Sequence, residues 1–431
     1  AVTPDIPQGW TPPFSDVAEG DWYTPFVSTL NSQGVINGYD DGRFGPNDAV
    51  KAGDAILMVV KAAGSGDQPA PEGGHYAAGY VQYALDHGWL TQSQAAVDLN
   101  APASRLTIAQ LAAKALGLSA STKSSPFADT SDGYVTALYQ NGVVVGEKSG
   151  SKRYFKPNDS ITRAELSVIV WQVMAFDDYI HFSSHVLEKL DGVPVNDYDN
   201  AFVSSDGMMT YTKENGSLAG IDVSSHQGTI DWAKVAEDGI DFAIIRCGGR
   251  YYQSGTVFED KQFRANIQGA LDAGIQVGIY FFSQATSAQE AREEAQFVLD
   301  TIQGYDVTGP VVFDWENIGN DSARTDGMTS AQVTAAANAF CGRIKAAGYQ
   351  PMIYFNQYIG YLLYDLDQVV QYPFWLAEYN AVPSFYYDFE MWQYTSSGKI
   401  PGIAKGADLS VAYKDYAGII QRAGLTKVRG A

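Results

Sequence analysis

The run VVFDWEN, Val311 to Asn317, sets two carboxylates at the end of a β-branched and aromatic stretch. An unbroken apolar run of this kind suits a strand buried on both faces, as in a parallel sheet. The period of two along a strand sends Asp314 and Glu316 to one face and Trp315 to the other. Two close carboxylates cannot both ionise freely, so one is held protonated near neutral pH, as acid-catalysed glycosidic cleavage requires. Asp-x-Glu alone is a weak signal, since most such tripeptides are solvated strand ends. Its surroundings decide the reading.

Seven further short runs flank it: LAGIDVS, FAIIRCG, QVGIYFFS, QPMIYFN, FWLAEYN, FEMWQYT and GADLSVA. The earlier ones are separated by amphipathic, helix-length segments such as Phe258 to Ala273, Ser287 to Gln303 and Ser330 to Ala347, two of them ended by Gly274 and Gly348 at the C-cap position. After Phe355 the spacing collapses, and the last three strands share about 55 residues, too few for three crossover helices. The expected fold is a C-terminal α/β barrel of irregular TIM type with a shortened second half, spanning 219–431. Chemistry in such barrels sits at the C-terminal ends of the strands, where Asp222, Asp314, Glu316 and Asp408 are all expected to fall and to meet across the closed seam.

Four acids beside one mouth also suit a divalent metal. The aromatics around them favour sugars instead: Tyr280, Tyr354, Trp375, Tyr379, Trp392 and Tyr394 would stack on pyranose faces while Gln393 and Asn356 bind hydroxyls. No metal and no cofactor is expected. His226 is a weak candidate base, more simply a loop histidine.

The N-terminal part repeats. Phe26, Tyr80 and Tyr134 each precede a glycine by eight residues, and Gly34, Gly88 and Gly142 are 54 residues apart. Around each lies an amphipathic stretch, a turn-rich loop and a second apolar stretch, with FGPND (Phe44 to Asp48) matching FKPND (Phe155 to Asp159). Three helix–loop–helix units at about 10–65, 70–120 and 121–176 are expected to share one core as an all-α bundle over 1–176. Residues 177–218 lack sustained periodicity and read as a partly ordered connector. His181 and His185 within it have no third ligand nearby.

The 431 residues carry 28 Lys plus Arg against 49 Asp plus Glu, a net charge of −21, with 45% hydrophobic residues. That apolar content excludes a disordered chain, and no window approaches the roughly 18 uncharged apolar residues of a membrane helix. The charge opposes phosphate backbones and anionic lipid, so neither nucleic acid nor membrane insertion is expected. Cys247 and Cys341 are too few for a disulfide framework and read as buried thiols. The N-terminus AVTPDIPQG suits a mature end left by signal cleavage, so export is permitted, and the resemblances below extend this to the expectation of a secreted, extracellular, cell-wall-associated protein.

Two resemblances follow. FSDV, GYDDGRF and ITRAE resemble S-layer homology repeats, which implies a three-pronged bundle binding anionic secondary cell-wall polysaccharide, with Arg163 and Glu165 of Thr162-Arg163-Ala164-Glu165 at the wall polymer. The position matching Arg163 reads as Ala52 in the first repeat and Ile108 in the second, leaving one intact basic groove of three. GIDVSSHQGTIDW, DFAIIRCGGR, VGIYFF, FDWEN, WLAEY, MWQYTSSGKIPGI and ADLS, in that order from about Gly220 to Tyr416, closely resemble glycoside hydrolase family 25, the N-acetylmuramidases often called Chalaropsis-type lysozymes.

That resemblance implies cleavage of the β-1,4 bond between N-acetylmuramic acid and N-acetylglucosamine in peptidoglycan. Glu316 would be the general acid, Asp314 would orient the substrate's N-acetyl group, and Asp222 and Asp408 would shape the field and position substrate or water. An alternative is a wall protein that grips glycan without cutting. A chitinase-like strand would need a further Asp at position 312, which is Val312.

Overall fold

The computed structural model describes residues 2–199, 201–213, 217–319 and 322–412. Residues 413–431, the end of the expected barrel domain and of its family resemblance, lie outside the described residues. The chain forms two compact units, Ala1–Lys189 and Leu190–Ala431.

In the first unit three helices, Ala52–Ala62, Arg105–Ala115 and Arg163–Met174, each follow a short extended segment. Those segments pair with one another, Ala49 with Thr162, Lys51 with Pro102 and Ser104 with Ser160, so the three repeats close around a common centre. Ile56, Val59, Ile108, Leu111, Leu166 and Val170 pack there, all buried. Thr162 caps its helix reciprocally: its Oγ1 accepts from the Glu165 N–H, and Glu165 accepts from the Thr162 N–H at 2.9 Å. The unit is not wholly helical. Glu147–Ser149 pairs with Lys152–Tyr154 across a two-residue turn whose Gly150 has φ +62°, and Tyr179–Phe182 pairs with His185–Glu188. Left-handed turn residues let segments too short for a helix satisfy their backbones as hairpins.

The second unit is built on eight barrel strands: β1 (Leu218–Val223), β2 (Phe242–Arg250), β3 (Gln276–Ser283), β4 (Val311–Trp315), β5 (Pro351–Asn356), β6 (Phe374–Ala377), β7 (Met391–Gly398) and β8 (Ala407–Ala412). Neighbours from β1 to β7 are parallel. β8 is antiparallel to both β7 and β1 and closes the ring. Helices follow β1 to β5, the last only Gln357–Leu362, and β6 and β7 have no α-helix after them.

The reversal of β8 corrects one expectation. Asp408 stands near the start of its strand, and it reaches the same mouth as the other acids because that strand runs backwards, with Asp408 directly opposite Asp222.

Where helices are missing, the chain N-terminal to the barrel covers the strands. Phe202–Ser205 and Met208–Tyr211 form a hairpin. The Phe202 ring meets Trp392 edge-on at 4.9 Å, the Met209 N–H donates to the Tyr394 hydroxyl at 3.2 Å, and the Tyr198 hydroxyl donates to the Pro383 carbonyl at 2.8 Å. The boundary between units therefore falls inside the stretch read as a connector, and its second part packs on the barrel. Phe202→Ala is expected to destabilise this flank by about 3 kcal/mol. Hydrogen exchange in the intact chain should then show faster exchange over 391–398 with no change over 163–174.

Candidate active site

Alternation along the strands turns an apolar barrel interior into a charged mouth. Phe242, Ile244, Val312, Met352 and Met391 fill the interior with Trp375 and Ala412. Two residues further along each strand the inward position becomes Arg246 after Ile244, Asp314 after Val312, Tyr354 after Met352 and Gln393 after Met391. A cavity of about 180 Å³ opens there, lined by Asp222, Arg246, Tyr280, Phe282, Asp314, Glu316, Tyr354, Trp375, Gln393 and Asp408. All four acids expected to act together are in it.

The acids form two pairs, Asp222 with Asp408 and Asp314 with Glu316, and within each pair one carboxyl raises the proton affinity of the other. All four carboxyls are held above their usual range. Burial is the largest cause for each. For Asp222 the charge of Asp408 adds to it, and for Asp314 the charge of Glu316 does. Asp222 and Asp314 are 6% and 5% exposed, while Glu316 and Asp408 are half-buried. Asp314 Oδ1 is buried and finds no hydrogen-bond partner among the described residues.

The surrounding polar groups are mostly engaged in holding these acids. Gln393 Nε2 donates to Asp222 Oδ2 at 2.7 Å, and its Oε1 accepts from both the Tyr354 and Tyr379 hydroxyls at 2.8 Å. Gln393 is thus an orienting group for Asp222. The Trp375 ring packs against Tyr354 at 4.8 Å and its Nε1 donates to the Ser410 hydroxyl. Tyr280 lines the cavity, and Tyr379 stands 54% exposed beyond the end of β6.

Trp392 does not join them. It is fully buried, donates from Nε1 to the Glu378 carbonyl at 2.8 Å, and with Tyr394 faces the outer layer around Phe202, because its neighbour Gln393 takes the inward position. Asn356 caps the helix Gln357–Leu362, accepting from the Ile359 N–H at 3.0 Å, and His226 lies outside the cavity lining.

Sequence reading passed over Arg246, the cation of the cavity. Its Nε donates to Asp260 Oδ2 at 2.8 Å and its Nη2 to the Ser225 hydroxyl at 3.2 Å, with Asp260 fully buried. The signal was present: a lone Arg at an inward position of the run FAIIRCG has no place in an apolar interior.

The first unit has two related grooves. Arg163 lines one of about 240 Å³ with Val35, Asn37, Phe44 and Asp54; its Nε donates to the Phe44 carbonyl at 2.7 Å and its Nη2 to the Asn37 carbonyl at 2.7 Å, with the guanidinium 4.7 Å from the Tyr39 and Phe44 ring centres. Arg105 lines the other, of about 510 Å³; its Nε donates to the Phe155 carbonyl at 2.8 Å, with the guanidinium 5.1 Å from the ring centre. Both arginines are the first residue of their helices. The position matching Arg163 in the second repeat is therefore Arg105 and not Ile108, which is buried in the core, and only the first repeat, with Ala52, lacks it. Glu165 pairs with Arg105 and with its own N-cap.

The sequence pattern of glycosyl hydrolases family 25 matches residues 221–403, and that of the S-layer homology domain matches 13–56 and 125–167. Lysozyme M1 of Streptomyces globisporus is 27% identical over 205 residues, covering 45% of this chain and 67% of that one. The autolytic lysozyme of Clostridium acetobutylicum is 26% identical over 194 residues, covering 44% and 55%. The modular autolysin LytC of Streptococcus pneumoniae, solved with a synthetic peptidoglycan ligand, aligns at a TM-score of 0.41 with 25% identity, covering 55% and 61%. This chain thus spans a little over half to two thirds of the length of these three proteins. The chain joins a region matching glycosyl hydrolases family 25, over 221–403, to regions matching the S-layer homology domain.

Proposed function

We propose that the protein is a peptidoglycan hydrolase, a lysozyme that cleaves the β-1,4 bond between N-acetylmuramic acid and N-acetylglucosamine. The observation that carries this reading is the Asp314–Glu316 pair, set together in an aromatic-walled barrel mouth that holds Asp314 above its usual range. Glu316, half-buried and the more accessible of the two, protonates the glycosidic oxygen as the bond breaks and then takes a proton from water. The two carboxyls lie side by side at the end of one strand, and the reading proposed is assistance by the substrate and not a protein nucleophile. The substrate's own N-acetyl oxygen is then the attacking group, with its N–H given to the unmatched Asp314 Oδ1. Asp222 and Asp408 set the field and hold the water. The barrel is read as an irregular member of the TIM type whose last strand is reversed.

The division of labour proposed is wall recognition by 1–176, a connector over 177–218 and cutting by 219–431, in a secreted, wall-associated protein. Arg163 is the better anion site. Among the described residues it makes no ion pair, whereas Arg105 is neutralised by Glu165. An anionic secondary wall polysaccharide would find its charge available between two aromatic rings.

Glu316→Gln is expected to abolish release of fragments from purified peptidoglycan while leaving the circular dichroism spectrum and melting temperature in place. Borohydride reduction followed by mass spectrometry should show reduced muramic acid ends from the unmodified protein. Reduced glucosamine ends, or an active Glu316→Gln, would overturn the assignment.

The raised carboxyls also bear on stability. A buried acid that stays protonated to higher pH when folded binds more protons than it does unfolded, so its contribution weakens as pH rises above the unfolded value near 3.8. Asp314→Asn removes that penalty. The variant is expected to melt higher than the parent at pH 8, by about 2 to 4 °C, with the gap closing at pH 3. Its activity should fall, and the parent's activity should decline on the alkaline side as the pair loses its proton.

Arg163→Ala is expected to weaken sedimentation with walls retaining their secondary polysaccharide by about tenfold, an amount of the size a charge-assisted pair supplies. Arg105→Ala should change it far less, and equal losses would sink the distinction between the grooves.

A further inference from the structure

Glu316 stands one residue beyond the sheet. The last pairs of β4 are Ser283 with Trp315 on one side and Asp314 with Tyr354 on the other, so no strand neighbour holds the Glu316 main chain. A catalytic acid at a free strand end would wander by more than the fraction of an ångström that proton transfer tolerates.

Gln284 supplies the missing tether. It is fully buried, one residue beyond β3, and its Nε2 donates to the Glu316 carbonyl and the Ser283 carbonyl, both at 2.9 Å. Two carbonyls can only accept, which fixes the amide orientation and leaves Oε1 to accept the Thr325 hydroxyl at 3.0 Å. Thr325 is 2% exposed and lies in the loop after β4. Its neighbour Arg324 grips Glu290 with Nη1 and Nη2 at 2.8 and 2.7 Å and donates from Nη1 to the Gln284 carbonyl at 3.0 Å. Glu290 sits in the first turn of the helix Ala288–Thr301. Partial burial works against its ionisation, yet Arg324 and the Thr286 N–H and hydroxyl pull its carboxyl down to about 2. The tether therefore ends on a rigid helix through a charge pair that stays intact at any working pH.

We infer that Gln284, held by Thr325 and the Arg324–Glu290 pair, is a positioning residue that fixes the Glu316 carboxyl against Asp314. This rests on Glu316 being the acid of the proposed reaction. Gln284 touches no substrate in this arrangement and acts only through the Glu316 main chain. The groups that face the Glu316 carboxyl, namely Asp314, Asp408, Asp222, Tyr354 and Tyr379, are left unaltered by changes at 284 or 325.

The test uses the full chain with Thr325→Val, which keeps the shape and loses the hydroxyl, Thr325→Ser, which restores it, and Gln284→Leu. Carbon-13 NMR of the labelled carboxyls, without substrate, should show the Glu316 titration displaced in Thr325→Val and returned in Thr325→Ser. On peptidoglycan, kcat should fall about ten- to hundredfold in Thr325→Val with KM within about twofold, and Thr325→Ser should stay near the parent. Gln284→Leu should be the more severe; if it fails to fold, the threonine pair carries the test. A folded Thr325→Val with the parent's titration and kcat, or one that loses only melting temperature, would overturn the inference. A parent chain inactive on every wall would instead overturn the proposed function, and the titration would still decide the role of Gln284.

Discussion

Closing the barrel with a strand that runs backwards sets Asp408 against Asp222 at the seam, and the composition of the mouth follows from that pairing. Two acids in direct register across a ladder repel when both are ionised. The seam is steadied by Gln393, which reaches past β8 to Asp222 and is itself held by two phenols. Burial and the neighbouring charge raise Asp222 beside Asp408, and they raise Asp314 beside Glu316 in the same way. Arg246 adds a positive charge, but Asp260 already claims it, so it balances the site without neutralising it. A mouth with four acids and one committed cation stores protons, which is a chemical capacity obtained at the expense of stability.

The shortened second half places a different demand on the chain. A strand in a parallel barrel has two faces, and the outer one must be covered. β2 to β4 are followed by long helices, and rings such as Phe313 and Phe340, 5.2 Å apart, fill the layer between strand and helix. At β7 the outward side chains are Trp392 and Tyr394, with no α-helix following to receive them, and the hairpin from Phe202 to Tyr211 takes that place. The aromatic run MWQYT is thus divided by its own period: Trp392 and Tyr394 build the outer layer, and Gln393 serves the site.

Much of this is legible in the residues. Alternation in VVFDWEN, the order of the eight runs and the collapse of spacing after Phe355 give the barrel and bring the four acids together. What sequence did not reveal depends on direction or register. GADLSVA has the same pattern whichever way its strand runs, so the reversal of β8 is invisible locally. Trp392 and Gln393 are adjacent, and a one-residue difference in register exchanges their faces. The stretch before Leu218 has weak periodicity because its short strands are shaped by the barrel they cover. In the repeats, matching by sequence placed Ile108 against Arg163, whereas the helix start, capped by Ser104, makes Arg105 the counterpart.

The grooves of the first unit show how one motif is used twice with different electrostatic results. Arg163 and Arg105 each begin a helix, each donate from Nε to the carbonyl of a loop phenylalanine, and each lie over that ring. Glu165 lies two residues after Arg163 on the same helix, and its carboxylate caps that helix and reaches Arg105. The residue that completes the fold at one groove thereby withdraws the charge from the next. In a chain of net charge −21, Arg163 keeps a charge that no carboxylate pairs among the described residues, and its position by Tyr39 and Phe44 keeps it oriented without neutralising it. Repulsion between like charges is screened beyond about 8 Å at physiological salt, so under the proposed wall binding one such contact at short range would offset it and raise the local concentration of substrate.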